Sequence, residues 1–408
     1  MTSLFPPASE YRSDHVGLSR RRRWLVVDFD GTCTEMDTTP LLPHLAAFVS
    51  RRRSSIDSTH ASSDVDAMHR HDLDRRLALF RRLEDVYAKL YDDAKSSLLI
   101  SIDGTSGGDS DRRSIHDILD ALDEPSTLVT GMVSESRVLA GLGDITAREL
   151  EGALRLYGIS TSNDDADSSD DADLGRIEEN TKTLIDDDND SDGAGELFRK
   201  VVIRLRRGCE DTLARILSEN EENDSCCNDG DSPPCLGWSL AVLSINWCPA
   251  LIDASLVQPV LNRRRNSLGV HSFMREIPIW SNQVNGEGEV KLHIPGASAK
   301  RDRIIELRRH LHMTSDSSSL IVYVGDSPTD ISALLEADIG ILIGNSNSAK
   351  LIAARWSVQV VPLQKRDQYG FGRTVDGNLG NWPKNLLWHA ESWYEIDDMM
   401  IQLDELWS

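Results

Sequence analysis

Short apolar runs that stop on acidic or small residues recur along this chain. Trp24–Val27 runs straight into DFDGT at 28–32, and LAVLSINW at 240–247 passes through Ser244. SLIVYVGDS at 319–327 ends on Asp326, and IGILIG at 339–344 and SVQVVPL at 357–363 follow. Short β-branched runs bounded by turn residues are the pattern of strands buried on both faces. Helical spacing lies between them, at Arg301–His312 and at Thr329–Ala337, with Pro328 at the helix start. Strands alternating with helices predict an α/β fold: a Rossmann-like parallel sheet with helices on both faces. Such sheets bind ligands beyond the carboxyl ends of their strands, where Asp28, Ser244 and Asp326 would gather.

The stretch between the first and second runs differs in character. Asp72–Leu98, Ile115–Leu122 and Arg148–Leu156 carry apolar residues at helical spacing, without a convincing strand. This predicts a helical cap inserted after the first strand. The expected domains are a disordered tail at 1–22, a catalytic core at 23–36 and 206–408, and a cap at 37–205. Within and beside the cap, Ser160–Gly195 and Glu219–Pro234 are dominated by Asp, Ser and Asn, a composition that stays solvated. The DDDNDSDG run at 186–193 lacks the glutamate that completes an EF-hand.

The formal charge is -23, which argues against sequence-independent binding to nucleic acid or anionic membranes. Arg20–Arg23 and Arg51–Arg53 are basic, so much of that charge belongs to the acidic stretches. No apolar run approaches the ~20 residues that cross a bilayer, and the N-terminal segment lacks the apolar centre of a secretory signal. Six cysteines without a regular framework suit a reducing compartment, and Cys226, Cys227 and Cys235 lack a C-x-x-C pair or nearby histidine for zinc. The expectation is a cytoplasmic protein of unassigned oligomeric state.

Four features in order carry the chemistry. Asp28 and Asp30, two apart on a loop leaving a buried strand, suit a nucleophile and an acid/base that protonates the leaving oxygen and then deprotonates water. Gly31 lets the chain turn, and the Thr32 hydroxyl can brace that turn. Ser244 offers a small hydroxyl and nearby backbone N–H groups to a phosphoryl oxygen. Lys300, at a helix start in GASAKRDRIIELRRHL, can neutralise nucleophile and phosphoryl group, with Lys291 as the competing candidate. In VGDSPTD, Asp326 ends a strand and Asp330 opens a helix. Asp28, the backbone carbonyl of Asp30 and Asp326 would ligate Mg²⁺, with Asp330 behind them holding a metal water or orienting Lys300.

DFDGT, the serine, the lysine and GDSPTD together resemble the four motifs of the haloacid dehalogenase superfamily, over about Arg23–Thr34 and Gly208–Leu363. In that superfamily an aspartate two residues after the nucleophile marks phosphatases, so Asp30 implies a phosphatase and disfavours a dehalogenase. DFDGTCTEMDTT, LSINWCPALIDASL, IWSNQV and GDSPTDISALLEADIGILIG are similar to the phosphatase domain of plant thiamin monophosphate phosphatases. The resemblance implies a small phosphorylated metabolite as substrate, thiamin monophosphate first. The alternatives are pyridoxal phosphate, phosphocholine or a sugar phosphate, or a binding protein without turnover. A thiamin-like cation would want aromatic faces and carboxylates. Tyr87 and Tyr91, four apart and on one face with Glu84, are the candidates, with Asp85 on the same helix.

Overall fold

The computed structural model describes residues 23–57, 63–100, 115–146, 149–150, 203–226, 237–268, 277–314, 319–369 and 385–407. The 1–22 tail, the acidic 160–195 stretch and all of Arg148–Leu156 except residues 149–150 lie outside them.

Seven strands form one sheet in the order β3-β2-β1-β6-β7-β9-β8, parallel throughout. They are β1 (Arg23–Val27), β2 (Trp238–Leu243), β3 (Ile279–Trp280), β6 (Leu320–Gly325), β7 (Ile339–Ile343), β8 (Gln359–Pro362) and β9 (Leu386–Ala390). A separate antiparallel pair joins β4 (Gln283–Val284) to β5 (Val290–Lys291). The two strands at β9 and β3 were not anticipated from the sequence.

Helices cover both faces, which is why the strands read as unbroken apolar runs. Leu25 and Val27 of β1 face α5 (Cys209–Cys226) and α10 (Trp393–Trp407), in a layer with Leu213, Ile216, Trp393 and Ile396. Val26 faces the opposite way, with Ile304 and Leu307 of α7 (Ala297–Thr314) and Leu334 of α8 (Ile331–Glu336). The α5 backbone stays helical to Cys226, so the acidic stretch expected from Glu219 begins within a helix.

The insertion leaves and returns at one point: Thr34 bridges Leu205, Glu35 N–H donates to Arg204 O, and Arg206 N–H donates to Cys33 O. Its described elements are helical: α1 (Leu42–Asp57), α2 (Ser63–Ile100), α3 (Ile115–Asp120) and α4 (Asp123–Ser136). Leu42, Leu45, Phe80, Leu83, Val129 and Val133 form their own apolar centre, joined by Cys248, Leu251 and Val284 from the chain after β2. Leu119 and Leu122 instead pack under the sheet beside Val26.

Candidate active site

Register brings the chemistry together. Val27 lies level with Val242 on one side and Val324 on the other, so β1, β2 and β6 release their next residues at one rim of the sheet. Those residues include Asp28, Ser244 and Asp326. Asp28 N–H donates to Val324 O at 2.9 Å. The loop behind Asp28 is held from several sides. Cys33 Sγ donates to Asp28 O at 3.1 Å, Arg206 Nε to Gly31 O at 2.6 Å, and Trp393 Nε1 to Thr32 O at 3.0 Å. Gly31 has φ +71°, and a Cβ there would lie 2.4 Å from Asp326 Oδ2, so both the turn and the close approach require glycine.

The brace of that turn differs from the sequence expectation. Thr34 Oγ1 accepts the Gly31 N–H, whereas the Thr32 hydroxyl donates to Asp326 Oδ1 at 2.8 Å. Side chains two positions apart on a tight turn face different neighbours, and only the backbone path decides which meets the acid.

Lys300 stands in the first turn of α7 and is fully buried. Its Nζ lies 3.0 Å from Asp28 Oδ2 and 2.7 Å from Asp330 Oδ1. Lys291, the competing candidate, is exposed on β5. Burial opposes the charge on Lys300, but the two carboxylates outweigh it and hold its pKa above the ordinary value. Asp330 gains most from this arrangement. It also accepts from Tyr323 Oη, Ser327 Oγ, and the N–H groups of Asp326 and Ser327. Burial works against its charge too, yet Lys300 and these donors hold it below the usual carboxylate range. Asp28 receives the Phe29 N–H at 2.8 Å and a share of Lys300. Burial dominates there and leaves its carboxyl well above the ordinary value.

Three carboxylates with one lysine leave surplus negative charge in a buried place. Asp28, Asp326 and Asp330 each present a carboxylate oxygen, all within 4.8 Å of one another. An all-oxygen, anionic donor set of this kind fits a hard divalent cation such as Mg²⁺. Asp326 is pushed up to about 6 by burial and by Asp330, with the Thr32 hydrogen bond pulling the other way.

Asp30 has donors of its own, separate from Lys300. Its Oδ1 accepts the Thr38 N–H at 2.8 Å and the Thr38 hydroxyl at 2.6 Å, and its Oδ2 accepts Asn246 Nδ2 at 2.9 Å. Burial, and then Asp37, push it up to about 6 despite those donors. Thr38 and Asn246 were missed as site residues although both lie within the motif stretches: Thr38 reaches Asp30 across eight residues of loop, and Asn246 is 216 residues from it, so only the fold shows that both meet its carboxylate.

Ser244 is fully buried at the end of β2. Its N–H is committed to Trp280 O, and its Oγ accepts the Asn246 N–H at 3.1 Å. Two of the expected amides are thus already used, and what Ser244 retains is its hydroxyl hydrogen.

Tyr87 and Tyr91 lie on α2 with ring centroids 5.7 Å apart. Both are half-buried; Tyr87 packs against the insertion's apolar centre and Tyr91 against the layer under the sheet. Burial, then Asp37, push the Tyr87 phenol up to about 12. Glu84 on the same face is half-buried and raised, by burial first and then by Asp37, whereas Asp85 is exposed.

No protein-family model matches the chain. It is 29% identical over 199 residues to the Bifunctional TH2 protein, mitochondrial, of Arabidopsis thaliana, a match covering 47% of this chain and 28% of that protein. It is also 29% identical over 157 residues to a CTO1 family protein of Schizosaccharomyces pombe, covering 38% and 54% respectively. The chain therefore spans well under two thirds of the length of these curated relatives. A phosphoserine phosphatase solved as a phospho-aspartyl intermediate analogue aligns over 82% of this chain and 91% of its own, at 12% identity and TM-score 0.30. A HAD family hydrolase from Salmonella enterica aligns over 81% of this chain and 66% of its own, also at 12% identity and TM-score 0.30. The fold is α/β, a seven-stranded parallel sheet with a helical insertion after β1. Among the described residues no helix is long and apolar enough to cross a membrane.

Proposed function

We propose that this chain is a Mg²⁺-dependent phosphomonoesterase that works through an aspartyl-phosphate on Asp28. The observation that carries the reading is the convergence of Asp28, Lys300, Asp326 and Asp330 at one sheet rim, with Asp30 held apart on its own donors. A scaffold protein has no use for so costly a set of buried charges. Asp28 and Asp326, with the backbone carbonyl of Asp30, would hold the metal, and Asp330 would stand behind them. When bound, the ion supplies positive charge that offsets repulsion between a carboxylate nucleophile and an anionic phosphate.

An oxygen of Asp28 attacks phosphorus while the bond to the ester oxygen breaks, and Asp30 gives its proton to the departing alcohol. Asp30, now ionised, takes a proton from water as that water attacks the phosphorus of the aspartyl-phosphate. Inorganic phosphate leaves, and Asp28 and protonated Asp30 are regenerated. Lys300 orients Asp28 and offsets charge on the phosphoryl oxygens. The Ser244 hydroxyl donates to one of those oxygens. Thr38 and Asn246 keep Asp30 in place.

The substrate we propose is thiamin monophosphate, on the likeness of 28–39, 243–256 and 325–344 to the plant phosphatase domain, with the Tyr87–Tyr91 pair as the ring-binding element. Pyridoxal phosphate, phosphocholine and sugar phosphates are the comparison substrates. Free, buried Cys33, Cys209 and Cys248 support a reducing compartment, which we take to be the cytoplasm. The test is hydrolysis of p-nitrophenyl phosphate with Mg²⁺, with EDTA, and with Mg²⁺ restored. Turnover should vanish with chelation and return with the ion. Full activity in excess EDTA would overturn the metal assignment, and none under any condition the phosphatase itself.

A further inference from the structure

Asp123 opens α4, yet its carboxylate serves a different helix. Its Oδ1 accepts the Ala297 N–H at 2.6 Å and its Oδ2 the Ser298 N–H at 3.0 Å, while the Ser298 hydroxyl also donates to Oδ2. These groups belong to the first turn of α7, where backbone donors have no partner within the helix. A cap normally comes from the residue just before the helix. Here that neighbour is Gly296, and a Cβ on it would lie 2.0 Å from Asp123 Oδ1. The glycine makes room for a carboxylate that lies 174 residues before Ala297 in sequence.

Lys300 sits in that same turn, its N–H donating to Gly296 O at 3.1 Å. The body of α4 is anchored at its other end, where Val129 and Val133 join the insertion's apolar centre. Beside Asp123, Asp120 pairs with Arg301 of α7 at 3.4 Å, and His116 meets Ser332 of α8, two residues beyond Asp330, at 3.1 Å.

We propose that Asp123 is a positioning residue for Lys300: through α4, the insertion holds the first turn of α7 at the height where Nζ meets both Asp28 and Asp330. The placement of the insertion and the charge presented to the nucleophile are then one mechanical variable. The consequence for rate rests on the phosphatase reading; the placement of Lys300 does not.

The experiment therefore reads both. Lysines of the full chain are reductively methylated with formaldehyde and cyanoborohydride, Lys300 is followed by peptide mass mapping, and kcat and KM are measured on p-nitrophenyl phosphate. In the wild type Lys300 should resist modification. Asp123→Ala, and Gly296→Ala acting on the clamp from the opposite side, should each speed its labelling at least tenfold. Both should lower kcat by about 10–100-fold, the scale of a misplaced catalytic group, with little change in KM. Asp120→Asn, which weakens only the neighbouring ion pair, should change neither readout. If Asp123→Ala fails to fold, Ser298→Ala removes one of the three donors and should shift labelling in the same direction, by less. Lys300 as protected in the folded Asp123 and Gly296 variants as in the wild type, or in Ser298→Ala where those fail, overturns the proposal. A wild type without turnover whose Lys300 still becomes exposed in the variants overturns the phosphatase reading alone.

Discussion

The rim of the sheet and the helical insertion above it treat buried polar groups in opposite ways. At the rim, polar side chains are partnered by one another: Asp330 accepts five hydrogen bonds, and Lys300 is enclosed by two carboxylates. In the insertion the centre is apolar, and the polar groups work at its edges, as where Arg76 donates to the carbonyls of Val138 and Ala140. A fully satisfied network tolerates one arrangement of charge, whereas an apolar centre tolerates exchange of side chains of similar volume. The rim is thus suited to a fixed reaction and the insertion to an adjustable choice of substrate. Substitutions at the rim should change the rate on every substrate; substitutions in the insertion should change the ratio between substrates.

The largest effect should come from Asp28→Asn. It removes the nucleophile while leaving Lys300 its bond to Asp330, so kcat should fall by at least about 10⁴-fold on every phosphomonoester. Because burial disfavours the Asp28 charge, the variant should melt at the same temperature as the wild type or higher. Near-normal kcat would place the nucleophile elsewhere.

Asp30→Asn should lower kcat by about 10²–10⁴-fold on alkyl phosphates. The pH dependence has a defined sign. Protonating the leaving alcohol needs Asp30 in its acid form, so phosphorylation of Asp28 slows as pH rises through about 6. Activating water needs the ionised form, so dephosphorylation quickens over the same range. Rapid quench should find the phosphoenzyme abundant below that pH and scarce above it. A pH-independent phosphoenzyme level would contradict the role of Asp30.

The two regions meet at Thr38, which leads into the insertion and holds Asp30 together with Asn246. Thr38→Val and Asn246→Ala should each cost about tenfold in kcat, the weight of one or two hydrogen bonds to a charged group. Both bonds favour the ionised carboxylate. Their loss should move the crossover between half-reactions to higher pH, and a downward move would show that they act otherwise.

Much of this rim was legible in the sequence because its acids sit at the ends of apolar runs, and strand ends in a parallel sheet converge. Asp28, Ser244 and Asp326 needed only that rule. Lys300 needed the helix start as well, and only the fold separated it from Lys291. What escaped depends on long-range geometry. β9 lies between β7 and β8, out of chain order, and LLWHA at 386–390 carries no motif to draw attention. The exchange of roles between Thr32 and Thr34 turns on the local path of the loop. Asp123 reads as an ordinary first-turn acid of its own helix, and its actual partners lie on α7.

The smallest effect, and the sharpest test of the contrast, lies at Tyr91. Its ring meets Tyr87 on one side and the layer under the sheet on the other, so packing alone would explain its presence. Packing and recognition predict different patterns. If the ring faces a cationic heterocycle, Tyr91→Phe keeps that face and Tyr91→Leu loses it while still filling apolar volume. An aromatic face on a partly desolvated cation is worth roughly 1–2 kcal/mol, about a tenfold change in binding. Tyr91→Leu should therefore lower kcat/KM about tenfold for thiamin monophosphate relative to p-nitrophenyl phosphate. Tyr91→Phe should leave that ratio near the wild-type value. An equal fall on both substrates, with a lower Tm, would make Tyr91 a packing residue. The choice of substrate would then have to lie elsewhere on the insertion, with Asp28, Asp30 and Lys300 untouched by the result.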